Sequence, residues 1–254
     1  MSYAINLLSV VPMRKEATHR SEMVSQLLFG EYVEVLEDGG DFWRVKCLYD
    51  GYEGWVQASQ LKPADEVKKT DVFVGHWSGK VSINDHVKPI PFSAPVFAVN
   101  EPVLISGVKL SYDLSPAAIW QSGLEHLNAA TLLPAYSPYL DTPYLWGGKS
   151  VFGIDCSGFA QQVFKLFGIK LLRDAYQQAT QGEAVSDLDA SQAGDLAFFH
   201  NEAGRITHVG ILLRPDQIVH AAGKVRIDVI DKDGIINVDT GKRTHQLHSI
   251  RRFI

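Results

Sequence analysis

The sequence predicts an α+β domain preceded by two small all-β barrels. Residues 1–64 alternate short β-type runs with turn signals, and residues 65–113 continue that style with prolines that forbid a long helix. From residue 114 onward a breaker-poor helical stretch leads into a helix and then an antiparallel sheet. The expected domains are therefore 1–64, 65–113 and 114–254.

In the first module the strand candidates are Leu7–Val11, Val24–Leu28, Tyr32–Leu36, Phe42–Leu48 and Gly54–Val56, separated by Gly30, Asp38-Gly39-Gly40 and Asp50-Gly51. The charged stretch Pro63–Asp71 reads as a boundary. Val72–Val74, Val81–Ile83, Val96–Val99 and Val103–Leu110 follow as strands, among Pro89, Pro91, Pro95 and Pro102. Pro116–Leu133 has few breakers and many helix formers, which predicts helix. Phe159, Val163, Phe164 and Phe167 then recur at helical spacing until Gly168. Three apolar runs close the pattern, Asp195–Phe199, His208–Leu213 and Gln217–Ala221, the last two joined by the turn Arg214-Pro215-Asp216. Trp43, Trp55, Trp77 and Trp120 read as packing anchors.

The chain has 254 residues, 46% hydrophobic and 21% charged, which suits a globular protein with a sizeable core. A formal charge of -5 gives no electrostatic drive toward nucleic acid or an anionic membrane face, so neither is an expected partner. The two cysteines, Cys47 and Cys156, lie far apart in unlike contexts, which argues against a disulfide framework and for a reducing, cytoplasmic setting. The apolar run Ala4–Met13 lacks the basic flank and small-residue cleavage site of a secretion signal. No window reaches the roughly 18 apolar residues of a membrane span.

Cys156 sits where a loop enters a helix. The unpaired N–H groups and positive dipole end there favour a thiolate, the form that attacks carbonyls. Asp155 is the candidate cap of that helix. Cys47, inside a strand run, reads as a small buried hydrophobe. A cysteine nucleophile needs a base, and the base needs a third group to orient it. His208 opens one apolar run and His220 closes the next; an odd, three-residue connection at Arg214–Asp216 points both to one face of the sheet, whereas an even one separates them. Packing is the bland alternative for both histidines. Zinc is disfavoured because two histidines and one distant cysteine lack a fourth ligand.

Five stretches, taken in order, resemble the NlpC-type cell-wall cysteine peptidases, which have a papain-like fold. They are Pro143-Tyr144-Leu145-Trp146-Gly147-Gly148, Gly153-Ile154-Asp155-Cys156-Ser157-Gly158, Ala193-Gly194-Asp195-Leu196-Ala197-Phe198-Phe199, Thr207-His208-Val209-Gly210-Ile211 and Ile218-Val219-His220-Ala221. The resemblance covers about residues 115–254 and implies Cys156 as nucleophile, His208 as general base and acid, and His220 as the group orienting His208. It implies that Tyr144, with the Cys156–Ser157 backbone, stabilises the oxyanion. Ser21-Glu22-Met23-Val24-Ser25-Gln26 and Gly51-Tyr52-Glu53-Gly54-Trp55-Val56 resemble pieces of a bacterial SH3-type domain. Two such domains before the peptidase resemble the γ-D-glutamyl-L-diamino-acid endopeptidases, also called dipeptidyl-peptidase VI.

That subfamily releases free L-Ala-γ-D-Glu from a following meso-diaminopimelate or L-lysine. The expected partner is thus a small murein peptide such as L-Ala-γ-D-Glu-L-Lys or its diaminopimelate counterpart, no metal or organic cofactor is expected, and the implied role is peptide recycling. An ammonium in a closed pocket needs anionic or strongly accepting partners, for which the resemblance offers Glu22, Tyr52 and Asp155. For the glutamyl α-carboxylate it offers Ser157, Trp146 and Arg173. Many relatives carry a serine after the Arg-Asp pair; this chain has Arg173-Asp174-Ala175 and lacks that hydroxyl. His19, His76, His86, His126, His200, His245 and His248 receive no role, and Asp228 matches a family strand without an assigned chemistry. The competing functions are a secreted peptidoglycan hydrolase with wall-binding SH3-like modules and a non-catalytic murein-peptide binding protein.

Overall fold

Most of the alternating runs fold as antiparallel strands, with boundaries set by pairing partners distant in sequence; the expected strand Val96–Val99 is irregular instead. A computed structural model of the chain describes residues 2–123 and 127–253. It divides into two compact units, Met1–Leu124 with Trp146–Val151, and Glu125–Leu145 with Phe152–Ile254.

In the first unit, strands β1 (Ser2–Ile5), β2 (Val10–Arg14), β3 (Met23–Leu28), β4 (Tyr32–Asp38), β5 (Phe42–Cys47), β6 (Glu53–Gln57) and β7 (Lys62–Ala64) form one sheet in the order β3-β2-β6-β5-β4-β1-β7. Of the expected run Leu7–Val11, residues 7–9 are instead a turn between β1 and β2, while Val10 and Val11 begin β2; Asn6 folds the turn back, its side chain accepting from the Leu8 N–H and donating to the Leu27 carbonyl. Strands β8 (Val72–Val74) to β13 (Ile119–Gln121) follow, namely β9 (Ser78–Ile83), β10 (His86–Pro91), β11 (Val103–Ile105) and β12 (Val108–Asp113), with β10-β9-β12-β11 as a sheet and β13 paired to β8. β10 tolerates Pro89 and Pro91 because it is an edge strand. Ile5, Phe29 and Tyr32 share one core with Val74, Val81, Ile90, Ile105 and Leu110, so both sheets pack as one body. Trp77 is not a packing anchor: it is 48% exposed.

The segment Trp146–Val151 belongs to this unit although it lies just before Cys156 in sequence. The Lys149 ammonium pairs with Glu31 at 3.3 Å, both buried, and the Lys149 N–H donates to Gln26 Oε1 at 2.8 Å. Position 147 requires glycine, since φ is +75° and a Cβ there stands 2.5 Å from the Met23 carbonyl oxygen. β14 (Lys149–Ser150) lies in this segment.

In the second unit the helix expected over Pro116–Leu133 is shorter and starts later: α1 spans Ala129–Tyr136, capped by the Asn128 side chain, while Ile119–Gln121 is strand β13. Residues 124–126 of that stretch, His126 among them, lie outside the described residues. After β15 (Gly153–Ile154) comes α2 (Cys156–Leu166), every residue of it buried. Its end follows expectation, with the Gly168 N–H bonded to the Lys165 carbonyl. α3 is the short turn Ala175–Gln178. Strands β16 (Glu183–Val185), β17 (Leu196–His200), β18 (Ile206–Arg214), β19 (Gln217–Ala222), β20 (Lys224–Asp231), β21 (Gly234–Ile236) and β22 (Arg243–Arg252) form a sheet in the order β16-β22-β17-β18-β19-β20-β21. Pairing of β21 with β22 closes it into a barrel. α2 packs on β18 and β19. Among the described residues, no helix is long and apolar enough to cross a membrane.

Candidate active site

Asp155 adopts an extended backbone and its Oδ1 accepts the Gly158 N–H at 2.6 Å, so it is the N-cap that starts α2 at Cys156. The Cys156 Sγ reaches the carbonyl of Thr207, 4.0 Å away, which puts the thiol against β18 beside His208. Cys156 is 5% exposed. Burial, then the charge of Asp155, pushes its thiol up to about 12. Burial at this position therefore opposes the thiolate that the helix end favours.

The two histidines share a face by a route other than the expected odd loop. β18 and β19 are joined by the two residues Pro215-Asp216, and a bulge between Leu212 and Arg214 supplies the extra residue that restores the parity. Gly210 stands opposite His220, so His208, two residues away on the same strand face, reaches His220 diagonally. Their nitrogens, His208 Nε2 and His220 Nδ1, are 2.8 Å apart. A Cβ at Gly210 stands 2.9 Å from the His220 Cβ, closer than the rings' packing tolerates. Burial, then His220 and His245, holds His208 well below 6.5.

Two residues without an assigned role complete this cluster. Asp228 on β20 is 1% exposed, and its Oδ2 lies 3.0 Å from His220 Nε2. It falls on the face of His220 because His220 is registered with Arg226 and side chains repeat every second residue. His245 on β22 stacks on His208, ring centroids 4.1 Å apart and planes at 25°. Neither carries a local signal: each is a strand residue whose partner lies on another strand.

His208, His220 and His245 bring ring nitrogens within 4.8 Å of one another, which poses the question of a metal centre. Imidazole lone pairs lie in the ring plane, and two nearly parallel stacked rings do not converge on one ion at about 2.0–2.1 Å. The arrangement is one of stacking and hydrogen bonding.

Tyr144 is half-buried, its N–H bonded to the Gly223 carbonyl and its backbone bridged to Ile154. Burial, then nearby Cys156 and Asp155, raises its phenol, which stays a proton donor. Arg173, offered by the resemblance as a carboxylate donor, is 1% exposed. Its guanidinium donates to Asp155 Oδ1 and Oδ2 at 3.0 and 2.6 Å and to Ser157 Oγ at 3.0 Å. It therefore locks Asp155 in place from beneath and is not an open donor. Ser157 donates to Asp155 Oδ1 at 3.3 Å. Ala175 is buried as the first residue of α3, where no hydroxyl replaces the family's serine.

Glu22, Tyr52 and Trp146 belong to the other unit. Trp146 donates its indole N–H to Glu22 Oε1 at 2.8 Å, and Tyr52 packs on the core of β2–β6.

Residues 141–244 match the NlpC/P60 family, and residues 13–61 match the bacterial dipeptidyl-peptidase SH3 domain. The chain is similar to the γ-D-glutamyl-L-lysine dipeptidyl-peptidase of Bacillus subtilis, 31% identical over 215 residues, which cover 78% of this chain and 71% of the relative. It is 26% identical to dipeptidyl-peptidase 6 of Lysinibacillus sphaericus over 261 residues, covering 90% of this chain and 92% of that one. In fold it is similar to the crystal structure of an NlpC/P60 family protein from Bacillus cereus, with a TM-score of 0.83 and 22% identity over 99% of each chain.

Proposed function

The chain belongs to the NlpC/P60 family, and from that membership we propose a cysteine peptidase that hydrolyses the γ-D-Glu to L-diamino-acid bond of small murein peptides. The carrying observation is Cys156 at the start of α2, set against β18 beside the His208–His220 pair. His208 takes the Cys156 proton as sulfur attacks the γ-carbonyl carbon. Tyr144 and the Cys156 backbone N–H face the oxyanion. When the intermediate collapses, the scissile C–N bond breaks and His208 returns the proton to the departing amine. Water, deprotonated by His208, then opens the thioester, releasing L-Ala-γ-D-Glu and the free thiol.

Asp155, held in place by Arg173, is proposed to hold the free amine of L-alanine. The reading extends to peptide recycling in the cytoplasm, with which two free thiols, Cys47 and Cys156, are compatible; cell fractionation tests that part.

Cleavage of L-Ala-γ-D-Glu-L-Lys, its diaminopimelate counterpart and the N-acetylated tripeptide, with Cys156→Ser as blank, tests the chemistry. Cleavage of the free-amine peptides alone supports the reading. Equal cutting of the acetylated form points to an open-cleft wall hydrolase, and binding without turnover to a murein-peptide binding protein.

A further inference from the structure

We infer that Asp228 is a positioning residue that selects, through His220, which nitrogen of His208 acts as the base. This rests on the proposed role of His208. The argument is one of donors and acceptors. A carboxylate only accepts, so at 3.0 Å from Asp228 Oδ2 the His220 ring carries its proton on Nε2. In the neutral ring His220 Nδ1 is then a bare acceptor. The His208 Nε2 lying 2.8 Å from it must donate, which places the His208 proton on Nε2 and leaves Nδ1 as the free lone pair. One buried carboxylate, two rings away, thus presents the basic nitrogen.

Three further contacts hold Asp228 in this state. Its Oδ1 accepts the Val238 N–H at 3.0 Å and Arg226 Nη2 at 3.0 Å, and Arg226 Nε stands 2.9 Å from Oδ2. Arg226 is anchored in turn by Asp239 at 2.7 Å. Burial opposes the charge, but His220, Val238 and Arg226 outweigh it and hold the carboxyl at about 2. A residue serving only to pair Arg226 would need neither the His220 contact nor burial to 1% exposure.

The test uses the full chain with Asp228→Asn and Arg226→Met. An amide has one acceptor oxygen where the carboxylate has two, so His220 loses its fixed tautomer. Loss of the equivalent carboxylate next to a catalytic histidine costs about 10⁴ in kcat, and one ring further out we expect about 10- to 100-fold with KM unchanged. Imidazole 15N shifts should show His208 protonated on Nε2 in the wild type and a mixture in Asp228→Asn. Iodoacetamide labelling of Cys156, which needs His208 to accept the thiol proton, should slow with kcat. Arg226→Met, which keeps the Asp228–His220 contact, should show the wild-type 15N pattern and a several-fold smaller loss. Wild-type kcat in folded Asp228→Asn, or an unchanged His208 tautomer there, overturns the inference. Should the wild type leave the tripeptide intact, the substrate assignment falls, while the 15N pattern and labelling rate still decide the role of Asp228.

Discussion

Replacing Gly210 by alanine adds one methyl where β18 faces His220. That methyl stands 2.6 Å from Ile218 Cδ1 and 2.9 Å from His220 Cβ, against carbon contacts of about 3.5–4.0 Å. The Ile218 tip can rotate away; the His220 Cβ moves only with its strand, by roughly 0.6 Å or more to restore contact distance. Overpacking of this kind costs about 1–3 kcal/mol, which lowers Tm by about 2–4 °C per kcal/mol in a chain of this size. The same shift stretches or bends the 2.8 Å His208–His220 contact, and a misplacement approaching 1 Å costs about 10²-fold. The expected result is kcat down by about 10- to 100-fold at unchanged KM, read by tripeptide turnover beside thermal unfolding. Ile218→Val in that background removes the nearer clash and should recover stability without recovering kcat. Wild-type kcat in Gly210→Ala, or full rescue of kcat by Ile218→Val, refutes the steric account.

Arg173→Met should cost about 3–5 kcal/mol in urea unfolding, because it strands the buried Asp155 carboxylate at the head of α2; a loss under about 1 kcal/mol would mean that the pair is dispensable. Burial, then His220, holds His245 at about 4 instead of 6.5, and burial also depresses His208. Between those values the unfolded chain binds the extra protons, so stability is full above 6.5 and falls as pH drops toward 4. His245→Phe should keep the stack and flatten that slope, as urea midpoints across pH 4–7 will show.

Much of the fold is legible in the sequence because it is written in local pattern. The 3.6-residue spacing of Phe159, Val163 and Phe167 sets α2, and Asp155 supplies the cap that fixes Cys156 at its first turn. The runs around His208 and His220 read as strands for the same reason. Leu7–Val11 misleads because its apolar residues serve both a turn and a strand, and the Asn6 side chain decides which. The loop at Pro215-Asp216 is even, and the bulge that rescues the histidine alignment has no signature in the residues themselves.

By itself the sequence determined the family, most element types, and the place of Cys156 at a helix start, since each depends on neighbours within a few residues or on stretches matched whole. Tertiary structure alone decided the rest. How far burial opposes the thiolate at Cys156 depends on how much water its surroundings exclude. Burial of Arg173 beneath Asp155, the stacking of His245 on His208 and the contact of Asp228 with His220 all join residues from different elements. Donor–acceptor complementarity and desolvation act through space, so their outcome exists only once the strands have paired.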